Sequence, residues 1–449
     1  MWSLRVIFLL LTVTSVSFTQ GQEGQLSSSS SPDELVPSIG PPQDPDLSSL
    51  VAVQVIFRHG ARTIEKSFPS DPYNDEKFWP NGFHQLTCIG KVQCYDLGRF
   101  LNKRYSSFVN TTTYVRRDVY TLSSDIDRTI QSGSAVLAGI YPPNDAVAEC
   151  GSIHWKDVPV HTLPFKQDNV IRQESPCQRY DTLLNQVHTS PVVTDKVVAN
   201  MEILQEFARN ANITNFTNIK QLANYYDALI VERYFNLTLP DWANRVLDST
   251  NLRELTLFYF QTLSYTDEMK RFRAGPLFNK VLHNFDLTME GEIGDEQGRL
   301  LYLISGHDHT ISTFLDTLRL FSKNTRPTFA SAVVVELHRR TDALFIELFY
   351  KNGGDNDEIL TRLEIPGCPN PCAYSDFRIL VAPYVIEYDQ WSKECLKDEN
   401  VDGGWSTIVR VTGWVVLMAA LVLLMVTISL WICSILKKRK IQERYNRFQ

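Results

Sequence analysis

Residues 411 to 436 (VTGWVVLMAALVLLMVTISLWICSIL) contain no charged side chain, and the 13 residues after them hold six Lys or Arg against one Glu. A helix crosses the hydrocarbon core of a bilayer with about 20 apolar residues, so 26 are enough to span with some tilt. The KKRK run at 437 to 440 then stops transfer. Basic flanks stay cytoplasmic, which puts the tail 437–449 in the cytosol, against anionic lipid, and everything before the span in a lumen or outside the cell. A lipid-anchor signal is excluded, because such signals end in their apolar stretch and not in a basic one. The start, MWSLRVIFLLLTVTSVSFTQ, has one early cation, an apolar run from Val6 to Val16 and small residues at Ser15, Ser17 and Thr19. This pattern predicts a secretory signal peptide over 1–19 and a single-span, type I membrane protein.

Charge divides along the same lines. The chain has 44 basic and 51 acidic residues. Removing Arg5 and the six tail cations leaves 37 basic residues, and removing Glu443 leaves 50 acidic ones, so residues 20 to 410 carry a balance of −13. A nucleic-acid surface needs the opposite sign, and nucleic acid is not an expected partner. Four Asn-x-Ser/Thr sequons, at Asn110, Asn212, Asn215 and Asn236, fit glycosylation in a secretory compartment. Seven of the eight cysteines fall on that oxidising side, at 88, 94, 150, 177, 368, 372 and 395, an odd number that leaves at least one thiol over. Cys433 sits in the span, where it fills space or takes a palmitoyl chain.

Residues 20–49 are rich in Ser, Pro, Gly and acid (SSSSSPDE, GPPQDPD) and predict a flexible arm. Order begins at LVAVQVIF (50–57), a nearly continuous β-branched run of the kind found in a strand buried on both faces. LLYLIS (300–305) is a second such run. Both lead into charged, His-containing loops, and ligands of open α/β sheets sit at the carboxyl ends of the strands. AVVVEL (332–337) and ALFIELFY (343–350) flank RRTD and predict an antiparallel hairpin at the sheet edge. Between about 165 and 290, MEILQEFARNAN, NLRELTLFYFQTL and the recurrence of Leu222, Tyr226, Leu229 and Ile230 read as helices. The expected fold is α/β: a mostly parallel central sheet flanked by helices, built from 50–165 and 291–400, with a helical insertion over 166–290 and one transmembrane helix.

Arg58-His59-Gly60-Ala61-Arg62 stands directly after the first strand. Two guanidiniums and an imidazole beside a glycine suit a tetrahedral dianion, because an arginine fork matches phosphoryl oxygens. The second loop is Gly306-His307-Asp308-His309-Thr310, with Thr310 a candidate helix cap, and a third is Asp125-Ile126-Asp127-Arg128-Thr129.

Together these loops resemble the histidine acid phosphatase family, its lysosomal and prostatic members in particular. The likeness runs from about 50 to 400 and includes WPNGFHQLT (79–87), SSDIDRT (123–129), WKDVPVHTLP (155–164), AGPLFNKVL (274–282), PGCPNPC and QWSKEC. It implies hydrolysis of phosphate monoesters, with His59 as the nucleophile that becomes phosphorylated, Asp308 as proton donor, and Arg58, Arg62, Arg128 and His307 as phosphate ligands. It further implies disulfides Cys177–Cys395 and Cys368–Cys372, and a homodimer. Cys94 with Cys150 and Cys88 with Cys150 are then both open pairings. A neutral imidazole brings no further negative charge to phosphorus, and arginines stabilise the equatorial oxygens, so no metal or other cofactor is required. His309 stands where relatives carry a small hydroxyl residue, which puts an extra titratable group beside Asp308.

Other chemistries share some of these residues. Asp125-x-Asp127-x-Thr129 fits an Asp-nucleophile, magnesium-dependent phosphatase, although VYTLSS before it is a poor buried strand. Cys372 and Arg378 have thiolate-phosphatase spacing without the glycines of a phosphate loop, and His307-Asp308-His309 contains metal-ligand types. A non-catalytic surface receptor on the same fold is the alternative from a different class, opposed by the intact set of His59, Asp308 and three arginines. Tyr445-Asn446-Arg447-Phe448 fits a tyrosine-based sorting signal read by an adaptor, which favours lysosomal or endosomal membranes, with the plasma membrane as the alternative.

Overall fold

The computed structural model describes residues 47–142, 156–214, 219–293, 296–321, 327–353, 359–396 and 399–447. The signal peptide, nearly all of the Ser/Pro arm, Cys150, Asn215, Phe448 and the side chain of Tyr445 lie outside the described residues. The described strands are β1 (Leu50–Arg58), β2 (Val119–Ser123), β3 (Val160–Thr162), β4 (Glu292–Ile293), β5 (Glu296–Gln297), β6 (Leu301–Gly306), β7 (Ala332–Arg340), β8 (Ala343–Lys351), β9 (Thr361–Leu363) and β10 (Cys372–Ala373). All but β4 and β5 form one sheet in the order β10-β8-β7-β1-β6-β2-β3, with β9 also on β8.

The sheet is mixed. β1, β6, β2 and β3 run parallel, whereas β7, β8, β9 and β10 add antiparallel pairs. The β7–β8 hairpin is where the alternation placed it, but not at the edge: β7 lies between β1 and β8, and β9 and β10 cover β8. Residues 332–338 of β7 are buried, as an interior strand requires. VYTLS, a poor strand by hydrophobicity, is β2 and pairs with both β6 and β3. Gly133 of the helix after β2 packs over this part of the sheet, where an added Cβ would stand 3.5 Å from Thr121 and Val160 and 3.7 Å from Ser305, ordinary contact distances.

Helices cover both faces. α1 (Cys88–Tyr105) and α2 (Asp127–Ile140) pack through Leu97, Leu101, Val136 and Ile140 on the face that carries Val53, Val55 and Phe57. Along β1 the alternate residues Ala52 and Ile56 face the other way, toward a later set of helices. Before those come α3 (Gln178–Thr189), α4 (Pro191–Ala199), α5 (Met201–Asn210), α6 (Ile219–Tyr234), α7 (Asp241–Asp248), α8 (Thr250–Thr262) and α9 (Asp267–Arg273). Much of their apolar surface meets in a core of their own around Phe207, Leu222, Leu229 and Leu252. α10 (Gly275–Glu290), α11 (Asp308–Thr317) and α12 (Tyr374–Val381) then line the second face of the sheet with Phe278, Phe285, Phe314 and Phe377. The buried amide of Gln54 ties α10 to β1: it donates to the Val281 carbonyl at 2.6 Å and accepts from Asn284 at 2.9 Å.

Cys177 is disulfide-bonded to Cys395 at the end of α13 (Tyr388–Cys395), and Cys368 to Cys372. Cys88, Cys94 and Cys433 are free thiols, and burial pushes the Cys94 thiol up to about 11. Asn110, Asn212 and Asn236 are exposed. α14 (Glu399–Asn446) contains a stretch of 31 residues, Thr412–Gln442, that is long and apolar enough to cross a membrane and is unburied within the fold.

α1 and α2 approach so closely that a Cβ on Gly139 would stand 2.1 Å from the Tyr95 carbonyl oxygen. Gly139→Ala is therefore expected to force the helices apart and destabilise the protein by about 1–3 kcal/mol. Denaturant titration of the full chain in detergent checks this, and an unchanged midpoint would contradict the packing.

Candidate active site

The pairing of β1 with β6 puts Arg58 opposite Gly306, so the loops that follow these two strands start side by side. The His59 N–H donates to the Gly306 carbonyl at 2.9 Å. β2 runs parallel on the far side of β6, with Ser123 opposite Ser305, and delivers the third loop. Three segments far apart in sequence thus meet at the carboxyl ends of three neighbouring strands, where α/β sheets hold their ligands.

The first loop is held tightly. The Gly60 N–H donates to Ser132 and the Ala61 N–H to the Gln93 side chain, while a Cβ on Gly60 would stand 2.1 Å from the Gly90 oxygen. Only glycine fits there. His59 is buried, and its Nδ1 lies 2.8 Å from the Gly60 carbonyl oxygen. A carbonyl can only accept, so Nδ1 carries the hydrogen and Nε2 keeps its lone pair. Burial, reinforced by Arg128, Arg58 and Arg62, holds the imidazole well below the usual histidine range. The neutral imidazole is the form this surrounding favours.

Each guanidinium is fixed from behind. Arg58 donates to the Pro327 carbonyl at 2.8 Å, pairs with Asp308 at 2.9 Å and lies 4.3 Å from the centre of the Phe329 ring. Arg62 pairs with Asp227 of α6 at 2.9 Å and Glu65 at 3.3 Å. Arg128, in the first turn of α2, pairs with the other oxygen of Glu65 at 2.6 Å. His307 is buried, with Nε2 hydrogen-bonded to Ser124 at 2.9 Å, and its ring stacks on that of His309. Thr310 sits one turn into α11, where its Oγ1 accepts from the His307 N–H; the residue that precedes the helix as its cap is His307.

Asp308 opens α11. Burial would push its carboxyl up, but Arg58 and His309, whose N–H donates to Oδ1 at 2.8 Å, outweigh this and hold it well below the usual carboxylate range. The imidazole of His309 is turned to the Arg172 carbonyl, 2.8 Å from Nε2, and its Nδ1 lies 3.6 Å from Asp308.

A cavity of about 380 Å³ opens over His59, Arg62, Arg128, His307 and Asp308. Helices α3, α6, α8 and α9 supply its outer wall through Leu184, Lys220, Tyr259, Phe260 and Arg273. Every residue expected at the site except Arg58 lines this cavity, and Arg58 reaches it through Asp308. Glu65, Asp227, Ser124 and Phe329 were not anticipated. Glu65 lies three residues after Arg62 and was readable as a local charge partner, whereas Asp227 comes from 165 residues away and left no local sign.

The competing patterns resolve differently. Asp125 and Asp127 are exposed and do not line the cavity. Cys372 is oxidised, and Arg378 pairs with Asp286. Among the described residues one His/carboxylate group has metal-ligand spacing: Glu336, His338 and Glu347, near the amino end of β1 and away from the site. Its charge is already balanced there, since Glu336 accepts from Arg104, Tyr105 and His338, and Arg340 donates to Glu347.

Residues 49–351 match the histidine phosphatase superfamily, branch 2, and the chain belongs to that family of phosphatases. It is 33% identical to lysosomal acid phosphatase of Rattus norvegicus over 383 residues, covering 84% of this chain and 88% of that one. It is 31% identical to prostatic acid phosphatase of Bos taurus over 346 residues, 76% of this chain and 87% of that one. The phytase of Citrobacter braakii shares the fold, with a TM-score of 0.57 at 18% identity over 77% of this chain and 99% of that one.

Arg58→Lys tests the clamp. An ammonium keeps the charge but cannot hold the Pro327 carbonyl and Asp308 at once while lying over Phe329. The expected loss in kcat/KM for p-nitrophenyl phosphate is about 100-fold, the scale of one preorganised donor. A loss under threefold would mean that charge alone suffices.

Proposed function

We propose that this protein is a membrane-anchored, lumenal acid phosphatase that hydrolyses phosphate monoesters through a phosphohistidine intermediate, without a metal. The observation that carries this reading is the neutral, tautomer-fixed His59 ringed by Arg58, Arg62, Arg128 and His307. The free lone pair on Nε2 attacks phosphorus, the P–O bond to the alcohol breaks, and the phosphoryl group passes to His59. The arginines neutralise the three equatorial oxygens as this happens. Asp308 gives its proton to the departing alkoxide, then takes one from the water that attacks the phosphohistidine and releases phosphate.

Asp308 must hold a proton to do this, yet Arg58 keeps it ionised in the ligand-free site. The proton therefore arrives with the substrate. A phosphate monoester has a second pKa of about 6, so in acid it enters as a monoanion. Once bound, its negative charge draws Arg58 away from Asp308 and raises the carboxyl, and the proton moves across. The sign follows: kcat/KM should fall about tenfold per pH unit above that second pKa, because the enzyme carries the depressed carboxyl as an anion throughout. Substrates that differ in second pKa should shift this limb by the same amount, and a limb that stays put would assign it to an enzyme group instead.

The uncharged run 411–436 within α14, the basic residues after it and the exposed sequons support a type I orientation with the site in the lumen. The lysosomal relatives and the Tyr-x-x-Phe pattern of the tail support endosomal or lysosomal membranes as the destination. The test of activity is hydrolysis of p-nitrophenyl phosphate by the full chain in detergent from pH 3 to 8, with and without EDTA, beside His59→Ala. EDTA-resistant turnover in acid that vanishes with His59 is expected. A folded wild type with no turnover would instead favour a receptor built on this fold, and activity that survives loss of His59 would overturn the site.

A further inference from the structure

The two carboxylates that face Arg62 are not equivalent. Asp227 belongs to helix α6 and, among the described residues, pairs with Arg62 alone, at 2.9 Å, its side chain 20% exposed. Glu65 follows the buried anchor Ile64 at the lip of the cavity, with a side chain 38% exposed. It spends one oxygen on Arg128 at 2.6 Å and the other on Arg62 at 3.3 Å, spanning two guanidiniums whose own side chains are only 10% and 4% exposed. This is the arrangement two oxygens of a phosphoryl group would adopt, on the same Nη2 atoms. A phosphoryl group held by all three arginines and Glu65 in this position exclude one another.

Resting on the phosphatase reading above, we propose that Glu65 is a built-in competitor for the phosphate clamp, which a phosphoryl group displaces on entry and which returns as phosphate leaves. The backbone around Glu65 is suited to this, because it stays fixed while the side chain moves. Ile64 is fully buried, its carbonyl accepts from the His84 N–H at 3.1 Å, and Arg62 is bridged to Leu86. Departure of Glu65 leaves Arg62 with Asp227 but deprives Arg128 of its one carboxylate within 4 Å among the described residues. A buried guanidinium without a counter-charge is costly, so Glu65 leaves only as another anion arrives, and the event is an exchange. The consequence is deliberate weakness: the tethered carboxylate lowers affinity for the phosphate product, which would otherwise bind three arginines tightly and stall turnover.

The experiment compares wild type, Glu65→Gln and Glu65→Asp as full chains in detergent. It reads the inhibition constant of inorganic phosphate against p-nitrophenyl phosphate, KM and kcat, and direct phosphate binding by calorimetry. With Gln, phosphate should bind roughly tenfold or more tightly, the scale of one charge-assisted hydrogen bond, and KM should fall with it. The shorter Asp carboxylate reaches one guanidinium at most and should give an intermediate affinity. Phosphate should also raise the melting temperature of Glu65→Gln more than that of wild type. Unchanged or weaker phosphate binding in a folded Glu65→Gln would overturn the proposal and make Glu65 a brace for the arginines. If wild type shows no turnover but the calorimetric tightening is present, the exchange stands and the catalytic reading falls; if no variant binds phosphate, the exchange falls too.

Discussion

The site depends on one strand pairing. β6 lies between β1 and β2, and the register that sets Arg58 against Gly306 and Ser123 against Ser305 brings three loops to a common height. Side chains in a strand alternate faces, so a slip of one residue would turn the ends of these strands over and separate His59 from His307. That register is secured by burial on both faces of β1, where Val53, Val55 and Phe57 are fully enclosed on one side and Ala52 and Ile56 on the other. The hydrophobic core thus acts on the chemistry by fixing where two imidazoles and three guanidiniums stand.

The second constraint is electrostatic. Three buried arginines in a small volume repel one another, and the fold answers with Asp308, Asp227 and Glu65. Residues 20 to 410, net acidic, surround a cationic site, so net charge and site charge have opposite signs. Burial and the arginines hold His59 well below the usual histidine range, and Arg58 holds Asp308 well below the usual carboxylate range, so the ligand-free cavity favours the unprotonated form of both.

The parts of the fold that were legible in sequence share a cause. β1 and β6 are buried on both faces and read as unbroken apolar runs, and the apolar stretch of α14 reads by its lack of charge. β2 does not read as a buried strand because Thr121 and Ser123 lower its hydrophobicity; its place comes from parallel pairing with β6 and β3, partners distant in sequence. The hairpin was recognised but set at the edge, since β9 and β10 are three and two residues long and carry little periodic signal. At the site, the loops after β1 and β6 announced themselves by composition, and Arg128 through a family resemblance. Asp227 could not be read at all, because its partnership with Arg62 exists only once α6 has packed against the loop after β1 through Ala228 and Val231.

The order of strands in the sheet differs from their order in the chain, and this has a bearing on biosynthesis. β1 and β2 are made early, yet they never touch, and the strand that joins them begins at Leu301. A nascent chain made only as far as α10 holds His59 and Arg128 but has no strand to set them side by side. Until β6 slides into the gap, both strands present unpaired edges, the kind of surface that recruits other chains. The enzyme is thus born without a site, which can assemble only after the strand that joins its two halves has been made.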